Sequence, residues 1–318
     1  SPNLYLSSLQ EQVAQELAVS YNYLAFFCNS GAEANEAAIK LARKATGKQG
    51  IITFQQSFHG RTFGAMAATG QDKIKKGFGD GVPHFSYAVY NDLASVEKLV
   101  NQDTAAVMLE LVQGESGVRP AEVTFVKNLA DFCRREEILL IVDEVQTGMG
   151  RTGQLYSFEH YGIIPDIVTL AKGLANGLPA GALLGKSSLA PAFGPGSHGS
   201  TFGGNKLAMA AALETLHIMK EAGFMEEVRS KSAILLEQLQ FAFQDHPKIS
   251  AVRGLGMMIG IETSASLSKI VEAARQNGLI ILTAGENVIR LLPPLTISRE
   301  EIQQGIAVLK EVFYEVDE

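Results

Sequence analysis

The stretch Ile138-Leu-Leu-Ile-Val-Asp143 decides the fold class of this chain. It is an apolar run, too short for a buried helix, and it ends in a carboxylate. Runs of the same kind occupy residues 51–54, 106–110 and 167–170, and a helical pattern covers residues 123–136. Strands of a parallel sheet that is buried on both faces have this composition. The alternation predicts an α/β fold with a mostly parallel sheet covered by helices.

The last third of the chain has a different pattern. Its predicted elements are two helices (206–222 and 225–244), three strands (249–262, 279–283 and 288–292) and a final amphipathic helix (299–314). Strands and helices that do not alternate regularly are typical of an α+β arrangement. The sequence therefore predicts a large domain over residues 1–222 and a smaller C-terminal α+β domain over residues 223–318.

The composition excludes several classes of protein. Among 318 residues, 27 are Lys or Arg and 34 are Asp or Glu, which gives a net charge of −7. Without a clustered basic face, binding to nucleic acid is not expected. The sequence contains no run of 18 apolar residues, so a membrane span is not expected. Two cysteines are too few for a disulfide framework and no secretory leader pattern is visible, so a cytoplasmic location is expected, with no metal site.

Two polar residues at predicted strand ends indicate a chemistry. Asp143 ends one strand, and a carboxylate there is costly to desolvate unless a donor or a cation meets it. Lys172 follows the next strand, in a segment with no other charge, which predicts a buried amine that can act as a nucleophile toward carbonyls. A solvated loop aspartate, a helix cap or a solvated lysine would each explain one of them alone. Together they match the needs of pyridoxal phosphate, which takes a Schiff-base lysine and an aspartate that keeps its pyridine nitrogen protonated.

The segment Asn29-Ser-Gly-Ala-Glu33 supplies an anion site for such a cofactor. It follows an apolar run and opens an Ala-rich helix. Ser30 and Glu33 fit the S-x-x-E capping box, which would explain both residues without any ligand. Gly31 allows an anion to approach the exposed amides at the positive end of the helix dipole. The position of Gly31 therefore predicts a phosphate site.

Two further segments have more than one interpretation. Residues 148–153 are formally G-x-G-x-x-G, but they do not open a helix directly after a strand, as a dinucleotide site requires. The segment Ser57-Phe-His-Gly-Arg-Thr62 brings together an aromatic ring, an imidazole and a guanidinium. Phe58 and His59 could be packing residues. Arg61, in a Gly-flanked loop, is the better functional candidate.

The chain resembles the class III (fold type I) pyridoxal-phosphate aminotransferases. Seven motifs carry the resemblance, in the order of that family: Asn29-Ser-Gly-Ala-Glu-Ala-Asn-Glu36, Ser57-Phe-His-Gly-Arg-Thr62, Glu110-Leu-Val-Gln-Gly-Glu115, Asp143-Glu-Val-Gln-Thr-Gly148, Ala171-Lys-Gly173, His198-Gly-Ser-Thr-Phe-Gly-Gly-Asn205 and Val288-Ile-Arg-Leu-Leu-Pro293. They extend through nearly the whole chain. Members of the family carry several dozen residues before the point where this chain begins, so the resemblance implies that the family's N-terminal segment is missing here.

The resemblance implies a role for each matching residue. Lys172 and Asp143 would be catalytic, with Lys172 bound to the cofactor and Asp143 paired with the pyridinium nitrogen. The other cofactor contacts would be the Gly31 and Ala32 amides at the phosphate, Phe58 and Val145 on the two faces of the ring, Gln146 at the ring hydroxyl, and Thr201 at the phosphate of the other subunit. The substrate residues would be Arg61, Glu115, Ser200 and Arg290. A homodimer with composite sites follows from the role of Thr201.

The reaction that the resemblance implies is transamination between N-acetylornithine and 2-oxoglutarate in arginine biosynthesis. Ornithine, 4-aminobutyrate and succinyldiaminopimelate remain alternative amine donors. From other classes, a nicotinamide oxidoreductase that uses residues 148–153 and a pyridoxal-phosphate-binding protein without turnover remain open at this point.

Overall fold

A computed structural model describes residues 7–315, without the side chain of Val19. The described chain forms two compact units. The larger one contains residues 7–111, 121–149 and 156–221. The smaller one contains Val112–Pro120, Gly150–Leu155 and residues 222–315. The predicted domains at 1–222 and 223–318 stay a prediction, because a compact unit need not fold separately.

The elements are numbered here in chain order. The strands are β1 Tyr23–Cys28, β2 Gly50–Phe54, β3 Phe85–Ala88, β4 Thr104–Leu109, β5 Val112–Gln113, β6 Arg119–Pro120, β7 Leu139–Asp143, β8 Ile167–Leu170, β9 Gly181–Lys186, β10 Ile249–Leu255, β11 Met258–Thr263, β12 Leu282–Ala284 and β13 Val288–Leu291. The α-helices are α1 Ser8–Ala18, α2 Gly31–Thr46, α3 Phe63–Ala68, α4 Asp72–Lys75, α5 Leu93–Glu97, α6 Val123–Arg135, α7 Lys206–Met219, α8 Phe224–Phe243, α9 Leu267–Gln276 and α10 Arg299–Glu315.

The larger unit is built on a seven-stranded sheet in the order β1-β9-β8-β7-β4-β2-β3. Within this sheet β9 runs antiparallel to both of its neighbours, and the other pairs are parallel. Every residue of β4 and β8 is buried, as expected of central strands covered on both faces. The expected α/β class with a mostly parallel sheet is confirmed.

Helix α2 covers the sheet and also carries much of the site described below. Its residues Ala37, Ala38, Leu41 and Ala42 pack with strand residues in one apolar cluster. The helix starts at an N-cap, Ser30, whose hydroxyl accepts a hydrogen bond from the Glu33 amide (3.2 Å). It ends at Gly47, where φ is +70°, a left-handed conformation that glycine adopts without strain. The N-terminus of α2 is thereby fixed at the carboxyl end of β1.

The smaller unit contains an antiparallel sheet in the order β10-β11-β13-β12 and the short β5–β6 hairpin. Helices α8, α9 and α10 pack with the four-stranded sheet around an apolar core. The predicted single strand at 249–262 is wrong, because β10 and β11 form a hairpin with a turn at Gly256, where φ is +62°. Helix α9 lies between β11 and β12 and was not predicted.

Candidate functional site

The carboxyl ends of five parallel strands, β1, β2, β4, β7 and β8, lie at one edge of the large sheet. A cavity of about 560 Å³ opens there, entirely within the larger unit. Ligands of α/β proteins bind at this edge. Eight residues predicted from the sequence line the cavity: Gly31, Ala32, Phe58, Arg61, Asp143, Val145, Gln146 and Lys172.

Asp143 is held by three hydrogen bonds at the end of β7. Its side chain is only 4% exposed. One oxygen accepts from the Asn35 amide (2.8 Å) and lies 2.8 Å from Nδ1 of His59, and the other accepts from the backbone N–H of Val145 (3.0 Å). Burial lowers the pKa of His59, but the hydrogen bond and charge of Asp143 outweigh it, so that this pKa lies above its usual value. The buried carboxylate thus has the partners that its burial requires.

The N-terminus of α2 also lines the cavity. Glu33 differs from the predicted capping box in one respect, since its carboxylate accepts from the backbone N–H of Asn29 (2.7 Å). At Gly31 a Cβ atom would lie only 2.7 Å from Cγ1 of Val145. Glycine at this position therefore lets Val145 lie directly against the first turn of the helix.

Phe58 and Arg61 line the cavity from the loop that follows β2. The Arg61 guanidinium lies 5.9 Å from the centroid of the Phe58 ring, within the range of a cation–π contact. The backbone N–H of Phe58 donates to the buried carboxyl of Glu110 (2.9 Å), which follows β4. Burial raises the pKa of Glu110 to about 8.

Lys172 lines the cavity as predicted, but its exposure differs from the expectation. The sequence predicted a buried amine, whereas the residue is exposed. Strand β8 ends at Leu170, and Lys172 begins a 3₁₀ turn with φ at +45°. The chain has therefore left the buried sheet before it reaches the lysine.

The other predicted site residues lie outside this cavity lining. Ser200 accepts from the Asn29 amide and from the Gly203 N–H, both at 3.0 Å. Thr201 beside it is exposed. Arg290 and Glu115 belong to the smaller unit and pair with each other at 2.9 Å. The predicted roles of these four residues remain predictions.

Two residues that contact site residues, and the buried chain neighbour of Asp143, were not singled out from the sequence. Asn35 bridges Asp143 and the carbonyl of His59, and Glu110 supports Phe58. Glu144 is buried, and its carboxylate accepts from the Ser157 hydroxyl (2.7 Å) and the Phe158 N–H (3.0 Å). Each of these residues belongs to one of the seven family motifs given above. The hydrogen-bond partners in these contacts lie outside each residue's own motif, so the contacts become visible only in the folded chain.

The glycine-rich segment at 148–153 does not have the geometry of a dinucleotide site. It forms turns that lead into a 3₁₀ helix, Ser157–Tyr161. A dinucleotide fingerprint needs the N-terminus of an α-helix at this place, because the pyrophosphate binds there. The nicotinamide interpretation therefore has no structural support.

The sequence matches the family described as aminotransferase class-III over residues 2–313. The chain belongs to the class-III aminotransferases. Acetylornithine aminotransferase from Streptococcus mutans is 68% identical over 313 residues, which are 98% of this chain and 83% of that protein. The enzymes of the same name from Listeria monocytogenes and Bacillus subtilis are 56% and 55% identical, with 98% and 97% of this chain and 80% of each relative covered.

Solved structures agree with this family. Ornithine aminotransferase from Toxoplasma gondii has a TM-score of 0.94 at 29% identity, over 99% of this chain and 78% of that one. A second structure of it is described with partial occupancy of PLP at the active site. An aminotransferase from Bacillus anthracis also has a TM-score of 0.94, at 30% identity, over 99% and 82% of the two chains. The expectations of fold type and of pyridoxal phosphate, the family's cofactor, are confirmed.

Proposed function

We propose that this chain transfers the distal amino group of N-acetylornithine to 2-oxoglutarate, giving N-acetylglutamate semialdehyde and glutamate in arginine biosynthesis. The observation that carries the proposal is that one cavity holds a buried carboxylate, Asp143, an amine, Lys172, and the amide end of helix α2. The identity to curated acetylornithine aminotransferases supports the choice of substrate.

The residues present fit pyridoxal phosphate. The Gly31 and Ala32 amides at the start of α2 suit the phosphate, since a helix N-terminus favours anions. Phe58 and Val145 would hold the ring, and Gln146 would meet its hydroxyl. Gly31 supports this assignment, because a side chain there would displace Val145 from its place in the lining. The cofactor supplies an aldehyde that takes up the amino group and a ring that withdraws electrons from the reacting carbon.

The chain's own residues supply attachment and proton transfer. The Nζ atom of Lys172 would bind the cofactor and, once the substrate has displaced it, accept and return the proton of the reacting carbon. Asp143 would hold a proton on the ring nitrogen. Its hydrogen bonds to Asn35 and to His59 orient the carboxylate before any ligand binds, so that no reorganisation is needed during the reaction.

Arg61 would bind the carboxylate that lies far from the reacting carbon, in both substrates. For Arg290 we propose contact with the α-carboxylate of glutamate, and for Glu115 neutralisation of Arg290 while acetylornithine reacts. Their 2.9 Å ion pair supports this assignment. Ser200 would also bind substrate. An unpaired guanidinium near a neutral part of a substrate is unfavourable, which gives Glu115 its purpose.

We further propose a cytoplasmic homodimer. Cys28 and Cys133 are both buried and form no disulfide, as is usual in a reducing compartment. Within residues 7–315 no helix is long and apolar enough to cross a membrane. Beside Thr201, Phe202 is 70% exposed, and Leu207 is 71% exposed. Large exposed apolar side chains in one segment favour a surface that another chain covers.

The test is a set of single half-reactions with the cofactor-loaded protein. Each amine (N-acetylornithine, ornithine, 4-aminobutyrate, succinyldiaminopimelate and glutamate) is mixed separately, and the cofactor's absorbance is followed. We expect N-acetylornithine and glutamate to react fastest, and Lys172→Ala to abolish conversion with every amine. Glu115→Gln should slow the acetylornithine half-reaction more, and Arg290→Ala the glutamate half-reaction more. Faster conversion by another donor would replace the proposed substrate.

A further inference from the structure

Glu36 caps helix α3 from the neighbouring helix α2. Its Oε1 atom accepts hydrogen bonds from the Thr62 hydroxyl (2.6 Å) and from the backbone N–H groups of Gly64 (2.8 Å) and Ala65 (3.1 Å). Thr62 stands at the N-cap of α3, yet its own side chain makes no capping hydrogen bond. The first N–H groups of a helix need such an acceptor. The Glu36 carboxylate therefore fills the role of a local cap.

Gly64 makes room for this carboxylate. A Cβ atom at position 64 would lie 2.3 Å from Oε2 of Glu36 and 2.8 Å from its carboxyl carbon. These separations are shorter than van der Waals contact, so a side chain at this position would push the carboxylate away. The glycine and the three donors are separate observations, and both fit a carboxylate that belongs at the start of α3.

The same helix also holds the other side of the loop. Asn35, next to Glu36, donates from Nδ2 to the carbonyl of His59 (2.7 Å). Helix α2 thus binds the chain before Arg61, at His59, and after it, from Thr62 onward. Arg61 itself lines the cavity. A segment pinned on both sides leaves its middle residue little freedom to move.

We propose that Glu36 is a positioning residue for Arg61 and thereby sets where the substrate's distal carboxylate binds. Glu36 does not belong to the cavity lining, so it acts through the loop rather than by touching the substrate. The proposal rests on the proposed function, which assigns Arg61 to that carboxylate. Paired charges and hydrogen bonds to a carboxylate depend steeply on geometry, so a displaced guanidinium should bind it less well.

The experiment compares Glu36→Ala with Glu36→Gln in the cofactor-loaded full chain. The probe is glutarate, a dicarboxylate that cannot react, and its Kd is measured by calorimetry. We expect Glu36→Ala to raise the glutarate Kd and the KM for 2-oxoglutarate by about tenfold, with kcat within about threefold. Glu36→Gln keeps an oxygen at the position of Oε1. Its glutarate Kd, its KM for 2-oxoglutarate and its kcat should each stay within about threefold of the parent values. The Kd for pyridoxal phosphate should stay within about twofold.

A matched control is Asp92→Ala. Asp92 caps another short helix, α5, through a hydrogen bond from the Ser95 N–H (3.2 Å), and it does not line the cavity. Its loss should leave the glutarate Kd unchanged. If Glu36→Ala fails to fold, Gly64→Ala tests the same contact, because the added methyl displaces the carboxylate.

Arg61→Ala distinguishes a failure of the proposed function from a failure of the positioning role of Glu36. If Arg61→Ala leaves the glutarate Kd unchanged, the assignment of Arg61 in the proposed function fails. If Arg61→Ala raises that Kd but neither Glu36→Ala nor Gly64→Ala does, the positioning role of Glu36 is overturned. A lower melting temperature with unchanged glutarate binding would likewise reduce Glu36 to a structural cap.

Discussion

The hydrogen-bond donors around Asp143 both stabilise its buried carboxylate and orient it. The carboxylate needs donors because it is buried, and the same donors fix its orientation toward the cavity. Asn35 and His59 come from α2 and from the loop after β2, so that two other parts of the larger unit determine where this one side chain points. Glu110 lies in the same buried region, where its charge interacts with those of His59 and Asp143.

Glu110 provides a pH prediction at the scale of one residue. Burial raises its pKa to about 8 in the folded protein from an ordinary value of 4.5. Between these two values the folded state holds a proton that the unfolded state has released, so stability falls as pH rises. As the pH rises from 5 to 8, the free energy of unfolding of the parent should fall relative to that of Glu110→Gln. We expect this relative fall to be about 1 kcal/mol or more.

The measurement is chemical denaturation of both proteins at several pH values. Glu122→Gln is the control, because Glu122 is exposed and its substitution should leave the pH profile unchanged. A parallel pH profile for Glu110→Gln and the parent would show that Glu110 is ionised in the folded state at neutral pH.

At the scale of elements, short-range patterns were predictable and long-range pairings were not. The run at 167–170 and β8 coincide, and the Ser30 cap of α2 stands where the S-x-x-E pattern predicts it. The antiparallel course of β9 depends on its partners in the sheet, which no local pattern specifies. The hairpin at Gly256 was missed because the apolar pattern continues through its turn. The Asn35–Asp143 contact joins residues 108 positions apart, so it becomes visible only in the fold.

The start of α2 gives a prediction at this scale. Gly31→Ala should raise the Kd for pyridoxal phosphate by about tenfold, because the added Cβ displaces Val145 from its place against the helix. Alanine favours the helix more than glycine does, so the melting temperature should not fall for lack of helix propensity. The measurement is a titration of the cofactor-free protein. Gly194→Ala is the control, since a Cβ there meets no atom within 4 Å.

At the scale of the whole molecule, the chain works as part of a dimer if Thr201 binds the phosphate of the other subunit, as the family resemblance implies. Thr201 is exposed and absent from the cavity lining of its own chain. If Thr201 serves a phosphate outside the cavity of its own chain, a second copy must bring its hydroxyl to the other chain's site. In a dimer with twofold symmetry, each contact between the subunits occurs twice, once at each site. The exposed Phe202 beside it then has a physical purpose, because burying its ring would favour association.

Mixed dimers test this arrangement directly. Thr201→Ala alone should weaken cofactor binding, through loss of a hydrogen bond to a charged group, and Lys172→Ala alone should be inactive. In a dimer of one subunit of each kind, a site that takes its lysine from the first and its threonine from the second is intact. At a cofactor concentration too low to load the Thr201→Ala protein, refolding the two variants together at equal amounts should therefore restore about a quarter of the parent activity, since half of the dimers are mixed and each has one intact site of its two. Recovery will be absent if Thr201 serves its own chain, because no mixed dimer then contains an intact site.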